Sequence, residues 1–166
     1  MLRPDLMVAS VHQVDAELLS SLGVRGVVVD LDDTLLAAGD DALDPSVEAW
    51  LAGLKRAGFP VLILSNGERR RVAAFAQQLG IQAMALSGKP FARAFTRALR
   101  RLGTPASATA MVGDQLFTDV LGANLAGMRS ILVQPLSPGK LPHTRMVRRL
   151  ERMILRGGVH GRPVHR

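Results

Sequence analysis

Four short stretches of the 166-residue sequence combine acidic side chains with groups that bind phosphate. In chain order they hold Asp30, Asp32 and Thr34; Ser65 and Asn66; Lys89; and Asp114 with Asp119. Carboxylates held close together repel one another unless a cation compensates their charge. Proteins bind Mg²⁺ through one or two carboxylates together with oxygens of a substrate phosphate. The residue types therefore predict a magnesium site at Asp30, Asp32 and Asp114, next to a phosphate site.

These side chains can transfer a phosphoryl group through a covalent intermediate. A carboxylate such as Asp30 can attack phosphorus and form an aspartyl-phosphate. Asp32, two residues further on, can protonate the leaving oxygen and then activate water. Hydroxyl and ammonium groups donate to phosphate oxygens, and the predicted phosphate-binding residues are Thr34, Ser65, Asn66 and Lys89. We assign Asp119 a supporting role, with stabilisation of a helix terminus as the alternative.

The elements around these residues follow an α/β pattern. Continuous apolar runs at 26–31, 60–64, 82–86, 110–112 and 130–133 predict parallel strands that are buried on both faces. Helical patterns cover residues 44–57, 68–79, 90–102 and 117–126, and a glycine follows each of them. Ligands of such sheets bind beyond the carboxyl ends of the strands. Because the candidate residues follow four of the predicted strands, we expect them at one edge of the sheet.

Together these residues resemble the four ordered motifs of the haloacid dehalogenase (HAD) superfamily. The motifs are Asp30-x-Asp32-x-Thr34, Ser65, Lys89, and Gly113-Asp114 with Asp119. The stretch 113–122, Leu2 with Pro4-Asp5, and Ser65-Asn66 before residues 68–70 are similar to the YqeG-type subfamily, class IIIA. Gly67, Ala123 and Asp33 depart from its pattern, where we expect Asn, Gly and Asn. The resemblance implies a three-layer Rossmann-like fold and phosphatase activity, and the subfamily resembles phosphatases of phosphatidylglycerophosphate.

The spacing of the motifs leaves no room for a cap domain. Between Asp30 and Ser65 lie 34 residues, and between Ser65 and Lys89 lie 23, most of which belong to predicted helices and strands. Only a small flap fits, within residues 35–43. A capless site is open, which favours a lipid head group or a macromolecule as substrate, or a homo-oligomer in which a neighbouring subunit supplies the lid.

The net charge of +7 lies in the C-terminal segment. Residues 140–166 hold eight Lys or Arg and one acid, whereas residues 1–139 hold 13 basic and 13 acidic residues. We therefore predict a hydrolase core over residues 1–139 and a basic helix with a tail over residues 140–166. The spacing within 141–155 predicts a basic amphipathic helix, which can contact a membrane surface through residues 141–156. A solvated tail is the alternative. A solvated helix face is likewise expected for Arg69, Arg70 and Arg71, with contact of Arg70 or Arg71 with an anionic head group as the alternative.

Composition excludes several other classes of protein. The absence of cysteine excludes disulfides, thiolate metal sites and a cysteine nucleophile. No apolar stretch reaches the roughly 20 residues of a membrane span, and charged residues interrupt any secretory signal near the start. Apolar residues make up 48% and charged residues 21% of the chain, as in folded globular domains. We expect a cytoplasmic protein that can lie at a membrane surface.

The leading hypothesis is a magnesium-dependent phosphomonoesterase that acts on a membrane lipid, with phosphatidylglycerophosphate as first choice. One rival is the same chemistry on a soluble phosphate ester. A second is a nucleic-acid or ribosome-associated protein that binds through the basic segment, although the lack of tyrosine and the single tryptophan disfavour base stacking. A third is a phospho-accepting signalling domain, which Asp32 argues against because a second carboxylate can activate water.

Overall fold

The computed structural model describes residues 1–137, which form a parallel sheet with helices on both faces. The strands are β1 (Leu6–Val8), β2 (Gly26–Val29), β3 (Val61–Leu64), β4 (Gln82–Met84), β5 (Thr109–Gly113) and β6 (Arg129–Val133). The helices are α1 (Ala16–Ser21), α2 (Pro45–Arg56), α3 (Arg69–Leu79), α4 (Ala92–Leu102) and α5 (Leu121–Leu125). The strand order is β1-β6-β5-β2-β3-β4. The predicted α/β class with a parallel sheet is confirmed.

Side chains alternate between the two faces of the sheet and divide the core into two layers. In β2, Val27 and Val29 belong to one apolar cluster, which also contains buried residues of α1, α2 and α3. Val28 belongs to the other cluster, together with residues of α4 and α5. Full burial on both faces explains why β2 and β3 are uninterrupted runs of Val, Leu and Ile. The molecule therefore has three layers, as the sequence predicts.

The third predicted strand differs from the prediction. Residues 82–86 were expected to form a strand buried on both faces, but β4 ends at Met84 and is one of the two edge strands of the sheet. Gln82 is exposed, because an edge strand has a neighbour on one side only. The chain then turns at Leu86, whose φ of 44° lies in the left-handed region.

Two elements near the start were not predicted. β1 pairs with β6 in parallel, so the sheet has six strands rather than the five that the apolar runs indicate. The following helix α1 begins after Asp15, whose carboxylate accepts a hydrogen bond from Leu18 N at 2.8 Å. A three-residue strand is too short to show a periodicity, which is why the sequence pattern does not reveal it.

The helix predicted over 117–126 has a different first turn. Residues Leu116–Val120 form a π-helical turn, and α5 continues from it. Asp119 N and Val120 N both donate to the carbonyl oxygen of Gln115, at 3.0 and 3.2 Å. A π turn widens the helix locally and is frequent at functional sites, and here it sets the position of Asp119.

Within residues 1–137 the molecule has no cap domain. The connection from β2 to α2 holds turns and a single bridge pair, Asp32 with Leu36, and the connection from β3 to α3 is four residues of loop and helix cap. No helix in this part of the chain is both long and apolar enough to cross a bilayer. The basic helix and tail predicted for residues 140–166 lie outside the described residues.

Candidate active site

Asp30 stands at the carboxyl end of β2, the strand between β3 and β5. Its N–H donates to the carbonyl oxygen of Val112 in β5 at 2.9 Å. Asp114 follows the end of β5, so the two aspartates lie on neighbouring strand ends, as expected from the sequence. Both are buried, with exposures of 4% and 5%. Two acids placed side by side in a buried position require compensating charge.

Lys89 provides one such charge. Its ammonium group donates to Asp30 Oδ1 and to Asp119 Oδ1, each at 2.7 Å. Burial raises the pKa of the Asp30 carboxyl to about 7, because the opposing effect of Lys89 is smaller. Burial also lowers the pKa of Lys89, but the carboxylates of Asp119 and Asp30 outweigh it and hold that pKa above its usual value. The lysine is therefore a fixed cation between two acids.

Asn66 holds the loop that carries Lys89. Its Oδ1 accepts hydrogen bonds from Ser87 Oγ at 2.9 Å, Gly88 N at 3.0 Å and Lys89 N at 2.9 Å. Its Nδ2 donates to the Lys89 carbonyl oxygen at 3.1 Å. The carboxamide thus bridges the loops after β3 and β4 and positions the lysine. The contact of Asn66 with phosphate that the sequence suggests stays a prediction.

The fourth motif brings Asp119 into the same group. Asp119 Oδ2 accepts a hydrogen bond from Gln115 N at 3.2 Å, which fixes the carboxylate over the end of β5. A Cβ atom on Gly113 would collide with the Asp119 side chain. Glycine before Asp114 is therefore required by the close approach of Asp119. The sequence assigned Asp119 a supporting role, and the structure places it at the centre.

Three carboxylates in this group can hold a metal ion. Asp30, Asp114 and Asp119 each offer an oxygen, and these oxygens all lie within 4.8 Å of one another. All three residues are buried, and Lys89 supplies one positive charge against three carboxylates. Oxygen ligands and an excess of negative charge are what a hard divalent cation requires. The donor set therefore fits the predicted metal, with Asp119 in the group and Asp32 outside it.

Asp32 instead faces Arg71 of α3. Arg71 Nη1 forms an ion pair with Asp32 Oδ1, and Nη2 donates to the carbonyl oxygen of Asp40 in the flap at 3.2 Å. The guanidinium also lies over the ring of Phe75, 5.4 Å from its centroid. Arg69 and Arg70 are exposed, as the solvated-face reading predicts. Arg71 is not, because the flap and Asp32 approach it.

Gly67 packs closely against Asp32 and Ser65. A Cβ atom built on Gly67 would stand 3.0 Å from Ser65 Oγ and 3.3 Å from Asp32 Oδ2. Ser65 is buried, and its Oγ accepts a hydrogen bond from Gly67 N at 2.9 Å. A side chain at position 67 would crowd both groups. Glycine, where the subfamily pattern has Asn, allows this close approach to both predicted site residues.

The flap is tied to the chain that follows β6. Asp33 is buried, and its φ of 61° lies in the left-handed region. Its Oδ1 accepts hydrogen bonds from Ala38 N at 3.0 Å, from Ser137 N at 3.1 Å and from Ser137 Oγ. Thr34, next in sequence, donates from Oγ1 to Asp114 Oδ1 at 3.4 Å. The flap is therefore anchored on one side to residue 137 and on the other to the acidic group.

Sequence reasoning missed two residues of this site. Arg71 and Asp33 both act through contacts between segments far apart in the chain. A signal existed for Arg71, since three arginines in the first turn of a helix oppose the helix dipole. For Asp33 the signal was weaker, because Asp and Asn are the side chains that best tolerate a positive φ.

Comparison with known proteins identifies the family. The sequence profile described as "Hydrolase: haloacid dehalogenase-like hydrolase" matches residues 6–127. The chain is also 37% identical over 152 residues to "Probable phosphatase YqeG" of Bacillus subtilis, covering 92% of this chain and 88% of that protein. The chain belongs to the haloacid dehalogenase-like hydrolases. The predicted family and its enzymatic class, a hydrolase, are confirmed.

Two further relatives of this HAD hydrolase extend the comparison. It is 29% identical over 163 residues to "Phosphatidylglycerophosphate phosphatase 1, chloroplastic/mitochondrial" of Arabidopsis thaliana, a match covering 92% of this chain but only 47% of that protein. A solved structure of an uncharacterized protein from Listeria monocytogenes shares the fold, with a TM-score of 0.59 and 23% identity over 72% of this chain and 85% of that one. The predicted Rossmann-like HAD fold is thus confirmed.

Proposed function

We propose that this hydrolase removes a phosphoryl group from a phosphomonoester through an aspartyl-phosphate on Asp30, with Mg²⁺ as cofactor. The observation that carries the proposal is the buried group at the sheet edge. Lys89 joins Asp30 to Asp119 at 2.7 Å each, and Asp114 lies beside them. Such a group neutralises and positions a phosphoryl group, which is most of what phosphoryl transfer demands.

The cation would be held by carboxylate oxygens of Asp30, Asp114 and Asp119, the three that approach within 4.8 Å. When bound, Mg²⁺ neutralises charge on the phosphoryl oxygens and draws them toward the nucleophile. The sequence motif also counted Asp32 among the ligands. Its ion pair with Arg71 favours a different role for that carboxylate.

The chain's own residues perform the two chemical steps. An oxygen of Asp30 forms a bond to phosphorus while the bond to the ester oxygen breaks, and Asp32 gives that oxygen a proton. Asp32 then takes a proton from water, whose oxygen attacks phosphorus. The bond from phosphorus to Asp30 breaks, so inorganic phosphate leaves and the Asp30 carboxylate is restored. Ser65 and Lys89 hold the phosphoryl oxygens.

We further propose a phospholipid head group as substrate, with phosphatidylglycerophosphate as first choice. Without a cap domain within residues 1–137, a head group can reach Asp30 from an extended surface. The Arabidopsis relative is named for this substrate. The chain leaves Ser137 at the same edge as the site, and we propose that residues 140–166, with a net charge of +7, form a separate basic part that attracts an anionic membrane. A soluble phosphate ester is the second candidate. Residues 39–42 of the flap are exposed, so a small ester can pass the flap and reach the site.

The test is Mg²⁺-dependent phosphate release from phosphatidylglycerophosphate in mixed micelles, for wild type and Asp30→Asn. Release from the lipid that the substitution abolishes supports both parts of the proposal. Hydrolysis of an aryl phosphate alone, still dependent on Asp30, keeps the chemistry and discards the lipid. A folded, cation-binding protein that hydrolyses neither compound contradicts the proposal.

A further inference from the structure

Three large apolar side chains stand exposed around the candidate active site. Leu86 is 60% exposed, Phe91 is 72% exposed and Leu136 is 51% exposed. Leu86 and Phe91 follow β4 on either side of Lys89, and Leu136 follows β6. In the sheet order β4 and β6 each stand two strands from β2, on opposite sides. Their strand ends therefore lie about 10 Å from that of β2, and apolar side chains flank Asp30 on both sides.

Leu86 and Phe91 occupy positions where the backbone favours other residues. Leu86 has a φ of 44° and donates its N–H to Gly67 O at 3.1 Å. A positive φ is an outlier for a bulky side chain. Phe91 is the N-cap of α4 and makes no capping bond from its side chain, where Ser, Thr, Asp or Asn is preferred. Both apolar side chains are exposed at positions where the backbone conformation favours other residue types. This indicates that they contact a partner rather than stabilise the fold.

Exposed arginines lie at the same edge as these apolar side chains. Helices α3 and α4 both begin at this edge, and neither has an acidic residue in its first turn. Arg69 and Arg70 begin α3, Arg93 lies in the first turn of α4, and all three are exposed. Cations at a helix N-terminus oppose the dipole. These three arginines can pair with an anionic surface presented to this edge.

We propose that this edge docks on an anionic phospholipid bilayer. The rim consists of Leu86, Phe91 and Leu136 with Arg69, Arg70 and Arg93. Its apolar side chains enter the boundary between head groups and acyl chains, and its arginines lie at the phosphates. Docking turns the sheet edge that carries Asp30 toward the head groups. The inference rests on the proposed function, because it supplies the surface from which that site takes a lipid.

A bilayer fits the rim better than a second copy of the chain does. The apolar side chains stand on either side of β2 rather than in one patch, whereas stable protein interfaces need a contiguous, well-packed core. An anionic bilayer can bind the apolar side chains and the arginines of the rim at the same time.

The direct test places a fluorescent reporter in the rim of the full chain. Phe91→Trp is mixed with phosphatidylglycerol vesicles whose acyl chains carry bromine, a contact quencher. The wild-type protein is the control, because Trp50 is held in the body by a hydrogen bond from Nε1 to Val14 O of 2.8 Å. We expect the tryptophan at 91 to be quenched and Trp50 not. A vesicle-bound protein without quenching at 91, or no binding to the vesicles, overturns the proposal.

A second test measures the consequence for catalysis. Leu86→Ser with Phe91→Ser is compared with Leu125→Ser, which removes a 51% exposed leucine from α5. We expect the double variant to hydrolyse vesicle-borne lipid about tenfold more slowly, since insertion scales with buried apolar area, and a soluble aryl phosphate at the wild-type rate. An unchanged rate on vesicles overturns the proposal, as does a dimer in gel filtration that only the double variant disrupts. Failure of the wild type to hydrolyse either compound defeats the proposed function, while the quenching result still decides the docking.

Discussion

Lys89 and Asp119 form an ion pair of 2.7 Å in which each side chain is only 1% exposed. The pair connects the loop after β4 to the π turn after β5, and Asp30 completes it from the strand between them. Charges so completely buried are stable only while each keeps its partner. The ion pairs of Lys89 with Asp119 and Asp30 therefore contribute both to the stability of the fold and to the positions of the side chains in the site.

Replacing Lys89 with Met leaves the buried carboxylates without a cation. We expect the metal-free protein to lose about 3–5 kcal/mol of unfolding free energy, measured by urea denaturation in a chelator. Mg²⁺ should restore part of the loss and raise the Tm of the variant more than that of wild type. Lys55→Met is the control, because Lys55 is exposed and reaches only backbone carbonyls at 3.2 and 3.4 Å. Equal effects of the two substitutions would contradict the assignment.

The pKa of Asp30 predicts how stability changes with pH. Burial raises that pKa from 3.8 to about 7, so between these values the folded metal-free protein keeps a proton that the unfolded chain has lost. Stability from this group therefore falls as pH rises from about 4 to 7, by roughly 4 kcal/mol in total, and is constant above. The unfolding free energy of Asp30→Asn minus that of wild type should rise across this window. A difference that stays flat or falls would show that Asp30 is ionised throughout.

Arg71 is predicted to matter for catalysis more than for stability. Its ion pair with Asp32 is partly exposed, with side-chain exposures of 26% and 34%, so breaking it should cost less than about 1 kcal/mol. Loss of the carboxylate's orientation should lower kcat by about 10- to 100-fold. Arg71→Gln and the matched Arg70→Gln are compared in thermal unfolding and in steady-state kinetics on a soluble aryl phosphate, which does not require the docking rim. Loss of activity in both variants, or in neither, would remove Arg71 from the site.

Much of this architecture is readable from the sequence, for reasons visible in particular elements. β2 and β3 are continuous apolar runs, and only a strand covered on both faces has that pattern in so few residues. β4 has a similar run but lies at the edge of the sheet. This position was not predictable, because strand order depends on tertiary packing, which a local sequence pattern does not contain. β1 is three residues long and depends on its pairing with β6.

The residues of the candidate site were likewise predictable only in part. Asp30 and Asp114 were predictable because they end adjacent strands, and strand ends are fixed by the apolar runs. The central position of Asp119 was not, since it depends on a π turn and on the absence of a side chain at Gly113. The contact of Arg71 with Asp32 was also not predictable, because it forms only when α3 meets the flap.

Asp33 offers a test of the flap's anchor. Asparagine tolerates the left-handed conformation and can accept the hydrogen bonds from Ala38 and Ser137. We therefore expect the unfolding free energy of Asp33→Asn to lie within about 1 kcal/mol of that of wild type. Asp33→Ala should lose roughly 2–4 kcal/mol, because it leaves partly buried donors unsatisfied and places alanine at a strained backbone position. Urea denaturation measures both. Similar losses for the two variants would show that charge, rather than the hydrogen bonds, holds the flap.

The central claim is that Asp30 becomes phosphorylated, and trapping the phosphoenzyme tests it most directly. Protein turning over an aryl phosphate with Mg²⁺ is quenched in acid, digested and mapped by mass spectrometry. Asp32→Asn is used alongside wild type, because loss of the group that activates water should make the intermediate accumulate. The account predicts a phosphoryl group on Asp30 in both proteins, more in the variant, and none in Asp30→Asn. Phosphate release without a phosphoenzyme, or a phosphoryl group on another residue, would contradict it.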